Sequence, residues 1–266
     1  MGPQEEKLDV LVITALQEEA IWIEKLFAEK WEELSRQGQV VRRALFPCGG
    51  GELHVGLVSQ LHMGMPYAAV TATKAILQWD PKLVAMTGIC AGVEGKVGLG
   101  DLVIANQTFD YGSGKIIGGK LHPHLVPVSI NPWLWQVLDR VLARDELAQA
   151  ILDGFPGPGE SPANPPQLHF ASMGTGAAVV CDADYVEEVT QEDQKLCGLD
   201  MEGYAVALAA SLAGTHGKEY PCFVIKAVVD FASIHKNDQY HDYAAYASAA
   251  FLKRFLEDPL TSEIFE

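Results

Sequence analysis

The sequence predicts an α/β fold in which helices cover both faces of a sheet. Short runs of β-branched and aliphatic residues alternate with segments of helical period along the chain, as strands and helices laid down in turn require. The runs are apolar at nearly every position, the pattern of strands buried on both faces. Polar or Gly-rich segments follow several of them, where open α/β sheets gather ligands. The 266 residues suffice for one large domain or two small ones. With no internal repeat and no shift in composition, one domain spanning 1–266 is expected.

Residues 8–15 form the first buried strand, and helical spacing follows through Ala20, Ile21, Ile23, Leu26 and Phe27 to about Leu34. Two shorter strands, 40–46 and 52–60, flank the turn Cys48-Gly49-Gly50-Gly51. Pro66, tolerated in the first turn of a helix, opens one whose apolar positions include Ala68, Ala72, Ala75 and Ile76. Residues 82–88 are another strand, running straight into Gly88-Ile89-Cys90-Ala91-Gly92, and Gly98-Leu99-Gly100-Asp101 turns into a strand over 102–109. Helices are predicted over 132–142 and 146–152, followed by a Pro/Gly-rich surface loop over 154–166. A strand at 169–173, helices at 182–192 and 201–213, a strand at 222–229 and a closing helix at 240–256 complete the chain. The closing helix carries Tyr243, Ala247, Phe251 and Phe255 on its apolar face.

Composition narrows the function. A formal charge of −16 argues against a nucleic-acid partner, because phosphate backbones need a basic footprint. No apolar run reaches the length of a membrane span, so no membrane partner is expected. The acidic start, Met1 to Lys7, lacks the basic and apolar regions of a signal peptide, so a cytoplasmic location is expected. The five cysteines are odd in number with no C-x-x-C pair, which predicts neither a disulfide framework nor a zinc site. Most are expected to be small buried hydrophobes. His122 and His124 have no third ligand near them in sequence and are expected in a polar loop rather than on a metal.

Chemistry concentrates at the ends of the apolar runs. Glu202 follows Leu199-Asp200-Met201, and Asp230 ends Lys226-Ala227-Val228-Val229. Structural need alone would place an apolar or capping residue there, and for Asp230 a helix N-cap ahead of Phe231-Ala232-Ser233 is the structural alternative. No G-x-G-x-x-G follows the first strand and no G-x-x-x-x-G-K-[ST] occurs, so dinucleotide and P-loop readings lose their main support.

The order of Thr-Ala-Leu-Gln-Glu-Glu (14–19), Thr-Gly-Ile-Cys-Ala-Gly (87–92), Gly-Leu-Gly-Asp-Leu-Val-Ile-Ala (98–105), Asp-Met-Glu-Gly-Tyr-Ala (200–205) and Val-Val-Asp (228–230) resembles the purine nucleoside phosphorylase/hydrolase superfamily. It is most similar to the methylthioadenosine/S-adenosylhomocysteine nucleosidase branch. The resemblance covers about 8–256 and implies a three-layer αβα sandwich with a central twisted mixed sheet. It implies that Asp230 protonates the purine at N7, making it a better leaving group, and that Glu202 accepts hydrogen bonds from the ribose hydroxyls. Met201 would pack on the sugar, and Val179, Val180, Gly88 and Ile89 would bound the substrate. Asp200 is the rival acid, but the motif register places Glu202 in the site.

The first loop bears on hydrolysis against phosphorolysis. Phosphorylases of the superfamily place a Gly and an Arg after the first strand and another Arg on the central strand; here Gln17-Glu18-Glu19 and Met86 stand instead. A carboxylate there repels a phosphate dianion and can deprotonate water. The resemblance makes Glu19 the general base, with Glu18 the alternative, while an acidic first turn facing the helix dipole explains both more simply. Ile89 replaces the Ser of the nucleosidases, and Thr175-Gly176-Ala177 lacks the acid of their Ser-Gly-Asp. A purine nucleosidase is therefore expected: a ribosyl purine (nucleoside or nucleotide) and water are its reactants, no metal or organic cofactor is needed, and a homodimer or higher oligomer is implied. The alternatives are a phosphorylase that uses Lys115 or Lys226 for phosphate, and a nucleoside-sensing domain with weak or no catalysis.

Overall fold

A computed structural model describes residues 7–49, 51–157, 160–215, 218–232 and 238–265. The N-terminal stretch before Lys7, residue 50 of the Gly-rich turn, residues 158 and 159 of the Pro/Gly-rich loop and Ser233 lie outside the described residues.

In chain order, β1 (Val10–Thr14) leads into α1 (Gln17–Phe27), then β2 (Glu32–Arg36), β3 (Gln39–Cys48), β4 (Gly51–Ser59), α2 (Met65–Trp79) and β5 (Leu83–Gly92). β6 (Leu102–Asp110) is followed by a small hairpin, β7 (Gly114–Ile117) with β8 (Lys120–Pro123), and by the short β9 (Val128–Ser129). Helices α3 (Pro132–Leu142) and α4 (Leu147–Asp153) precede β10 (Leu168–Thr175), α5 (Ala183–Glu192), β11 (Leu196–Asp200), α6 (Gly203–Ala213), β12 (Cys222–Asp230) and α7 (His241–Glu257).

Ten strands form one mixed sheet in the order β11-β10-β6-β12-β5-β1-β4-β3-β2, with β9 added to β6. The pairs β1–β4, β1–β5, β5–β12, β6–β10 and β10–β11 are parallel. The pairs β6–β12, β2–β3 and β3–β4 are antiparallel. Alternation along each strand sorts its side chains into two layers. Val10, Val12, Leu83 and Ala85 pack with α1, α3, α4 and α7, whereas Leu11, Ile13, Val84 and Met86 pack with α2 and α6. The result is the expected three-layer αβα sandwich. Each fully buried aromatic such as Phe251 or Phe255 contributes about 1.5–3 kcal/mol of apolar transfer.

β11 positions the site. It lies parallel to β10 on one side and antiparallel to β5 on the other, through Gly198↔Gly92 and Leu199↔Ala91. Strands β5, β12, β6, β10 and β11 therefore close on themselves. That closure carries Asp200 and the start of α6 to the carboxyl end of β5. A register shift between Val228 and Asp230 sets Asp230 opposite Ala91; a bulge of this kind re-aims the side chain that follows it.

The structure corrects the sequence reading in four places. The first helix stops at Phe27 rather than near Leu34, and Glu32–Arg36 is an edge strand. Its hairpin with β3 turns at Gln37 and Gly38, both at positive φ, the conformation that two-residue hairpin turns favour. The helix expected from Met201 begins at Gly203, because Leu196–Asp200 is a strand. His122 lies on β8 rather than in a loop. Of the five cysteines, all free, only Cys90 and Cys222 are buried; Cys48 and Cys197 are half-buried and Cys181 is exposed.

Candidate active site

The carboxyl ends of β1, β5, β11 and β12 surround one cavity. Its walls include Glu19, Ile89, Val179, Val180, Met201, Glu202 and Asp230, every lining residue expected from the sequence except Gly88. Gly88 lies directly behind Glu19. A roomier cleft at the other end of β12, lined by Gln107, Ser129, Asn131, Ser211 and Glu219, contains none of these groups.

Glu19 follows β1 by one tight turn and is 1% exposed. Its Oε2 accepts hydrogen bonds from the backbone N–H groups of Ala15 (2.8 Å) and Leu16 (2.9 Å), and its Oε1 accepts one from Ile89 N–H (3.0 Å). A carboxylate offers about four acceptor positions, so these three bonds fix its orientation and leave one on Oε1. Glu18 points to solvent. The two glutamates are thus separated: Glu18 belongs to the exposed first turn and Glu19 to the cavity.

Glu202 is held from two directions. The loop before α2 reaches across, and Gly64 N–H donates to Oε1 at 2.7 Å. Lys226 Nζ, 1% exposed on β12, lies 3.9 Å from Oε2. The same ammonium is 3.5 Å from Asp200 Oδ2. Asp200 faces inward to structural partners: Oδ1 accepts from Thr175 Oγ1 at 2.6 Å and Oδ2 from Gly203 N–H at 2.8 Å, at the start of α6. Its carboxylate is engaged by structural donors, which leaves Glu202 as the freer acid on the cavity wall.

Burial and neighbouring charge shift the titration of Glu202 and Lys226. Burial raises the Glu202 carboxyl above its ordinary range; Lys226 partly opposes this, and the charges of Asp200 and Glu19 add to it. For Lys226, burial alone would lower the pKa, but Glu19, Asp200 and Glu202 together hold it above the usual lysine value. Lys226 therefore stays charged, committed to the acids beside it.

Asp230 ends β12 and is half-buried. Its Oδ1 accepts from Ala232 N–H at 2.7 Å, a local turn two residues on. Met86, which stands where the phosphorylases carry an arginine, is fully buried against α2 and α6. Lys115 is exposed on the β7–β8 hairpin, and Ala177 is exposed outside the cavity. Among the described lining residues, none is Arg or Lys.

The sequence did not single out Tyr111, Met63, Leu16, Ala91 or Ala178, which also line the cavity. Tyr111 follows the end of β6, and its position after a strand's carboxyl end was the available signal. Gly64 works through its backbone alone, which no residue type announces.

Comparison with known proteins places this geometry in context. The sequence model of the phosphorylase superfamily matches residues 9–257. An uncharacterized protein, y4jS, of Sinorhizobium fredii is 38% identical over 192 residues, covering 71% of this chain and 46% of that protein. An ATP nucleosidase of Escherichia coli is 26% identical over 263 residues, covering 93% of this chain and 51% of its own length. The chain thus spans about half the length of these two relatives. The crystal structure of a 5′-methylthioadenosine/S-adenosylhomocysteine nucleosidase from Neisseria meningitidis, in complex with methylthio-immucillin-A, superposes with a TM-score of 0.71 at 20% identity, covering 93% of this chain and 98% of that one.

Proposed function

The chain belongs to the phosphorylase superfamily, and we propose that within it this protein cleaves the N-glycosidic bond of a ribosyl purine with water. The observation that carries this reading is the cavity's charge. Four carboxylates line it, Glu19, Asp200, Glu202 and Asp230, and no Arg or Lys among the described lining residues faces them. A phosphate dianion entering there meets like charge and, among the described residues lining it, no free cation, since Lys226 behind them is engaged by Asp200 and Glu202. Water meets a base instead.

In the proposed mechanism the C1′–N9 bond breaks and its electron pair passes to the purine. Asp230, as the acid, delivers a proton to N7, so the base leaves neutral. Positive charge develops on the ribose ring, and the buried anions of Glu19 and Glu202 stabilise it in a site of low dielectric. Glu202 accepts from the ribose hydroxyls through the acceptor positions that Gly64 N–H leaves open. The water oxygen attacks C1′ and its proton passes to Oε1 of Glu19, the atom with an unfilled acceptor position. No step calls on a metal or organic cofactor.

Relatives named for ATP and for methylthioadenosine or S-adenosylhomocysteine share the ribosyl-adenine core, which supports a reading of the core rather than of one 5′ group. The test is a panel of ATP, methylthioadenosine, S-adenosylhomocysteine, adenosine and inosine, each with and without phosphate, read out as free base. Release that is independent of phosphate supports the hydrolase. Strict dependence on phosphate points to a phosphorylase, and binding without release to a sensor.

A further inference from the structure

Of the groups that line the cavity, nearly all the polar ones are carboxylates. A purine presents donors and acceptors along its edges, and ionised carboxylates serve only its donors. Apart from the weak Cys90 thiol and Asp230 in its acid form, the one neutral side-chain donor among the described lining residues is the phenol of Tyr111. Its hydroxyl makes no hydrogen bond among the described residues, although Tyr111 is only 3% exposed. Its oxygen is not among the buried atoms left without a partner, so it retains accessible surface in a residue that lines the cavity.

The ring is fixed in place. Tyr111 N–H donates to Thr175 O at 3.1 Å, which ties it to the end of β10. Tyr185 of α5 meets it edge-on, with ring centroids 6.1 Å apart. Its hydroxyl end lies against Gly176, where a Cβ would come within 2.2 Å of Cζ and 2.3 Å of Oη. Residue 176 must therefore be glycine for the ring to sit where it does. The chain continues from Gly176 through Ala178, Val179 and Val180, which line the same cavity. Burial, reinforced by Tyr185 and the charges of Asp200 and Asp110, raises the phenol well above its ordinary pKa, so it remains a donor.

We propose that Tyr111 selects the base: its hydroxyl donates a hydrogen bond to a ring-nitrogen acceptor, N1 or N3, on the six-membered ring of the purine. The assignment rests on the ribosyl-purine reading above. It supplies a neutral donor for a ring nitrogen other than N7, which Asp230 serves in the mechanism above, with Val179 and Val180 also lining the cavity. A pre-positioned donor discriminates strongly, because a base without the acceptor leaves the phenol buried and unpaired.

The test is calorimetric binding of adenine, 1-deazaadenine and 3-deazaadenine to the wild-type protein and to Tyr111→Phe, which removes only the hydroxyl. The wild type is expected to bind one of the two deaza bases about tenfold more weakly than adenine, the loss of one hydrogen bond. Tyr111→Phe is expected to bind adenine and that analogue alike. The wild-type comparison needs no mutant, so it stands even if the variant folds poorly. Equal wild-type binding of all three bases, no adenine binding, or a preference that survives in Tyr111→Phe overturns the proposal. Selective base binding without base release from any ribosyl purine supports the Tyr111 role and contradicts the hydrolase. Base release without that selectivity contradicts the Tyr111 role alone.

Discussion

The Glu19 carboxylate occupies the space that a side chain on residue 88 would need. A Cβ built on Gly88 would lie 2.2 Å from Oε1 and 2.6 Å from Cδ of Glu19, at a φ of +157° that L side chains rarely adopt. Two segments far apart in sequence are thus fitted to one another around the proposed base. Gly88→Ala should push the carboxylate off its donors, and displacement by about an ångström lowers kcat by roughly 100-fold. Steady-state base release, with a thermal melt as the folding control, checks this; unchanged kcat in a folded variant would sink it.

The adjacent glutamates give a matched pair of variants. Glu19→Gln should lower kcat by about 10²–10⁴-fold, the usual scale for a lost general base. Glu18→Gln should leave it within about twofold, since an exposed side chain away from the cavity contributes little. The reverse ranking in kcat would move the base to Glu18.

Asp230→Asn keeps shape and removes the proton. A loss of about 10²–10⁴-fold in kcat is expected for a natural ribosyl purine. A substrate whose leaving group needs no protonation, such as a nitrophenyl riboside, should be affected far less. Equal losses on both substrates would assign Asp230 a structural role.

Lys226 sets the electrostatic state of the site. Lys226→Met leaves the buried Asp200 and Glu202 without their cation, and breaking such a pair costs about 3–5 kcal/mol of stability. The signs of the pH effects follow. Lys226 has a raised folded pKa, so its stabilisation is complete below the ordinary lysine value of about 10.4 and fades as pH climbs through the higher folded value. Glu202 has a raised folded pKa as well, so the folded state binds its proton more readily and the variant should regain stability as pH falls. Without the ammonium that opposes its rise, Glu202 should titrate higher still, moving the acid limb of kcat/KM to higher pH. Thermal melts and pH–rate profiles of both proteins check this, and an unmoved acid limb would remove Glu202 from the titrating step.

The α/β architecture was legible wherever a strand is buried on both faces: Val10–Thr14, Leu83–Gly92, Leu102–Asp110 and Cys222–Asp230 each open with four apolar residues in a row. Pro132–Leu142 was legible at both ends through its proline and its periodicity. Elements stabilised from a distance were not. β11 is five residues long with Gly198 in its middle, and it exists because β10 and β5 flank it. β2 is largely exposed, and its Glu-rich sequence continues a helical pattern until the turn at Gln37 and Gly38 stops it. The β7–β8 hairpin is exposed on most positions and has no apolar face to detect.

The candidate site divides the same way. Glu202 and Asp230 could be picked out because acids at the ends of apolar runs are conspicuous, and Glu19 through the resemblance of its loop to the family. The partners that govern them could not: the N–H groups of Ala15, Leu16, Ile89 and Gly64 belong to backbone. Lys226 meets Asp200 and Glu202 only once β11 and β12 have joined the sheet.

The most direct measurement of water-driven cleavage is solvent labelling. Turnover of a competent ribosyl purine in ¹⁸O-water, with phosphate present, should place one ¹⁸O atom on C1 of the released ribose and none on the base. Formation of an unlabelled ribose 1-phosphate instead would contradict the assignment of Glu19 as the base that activates water.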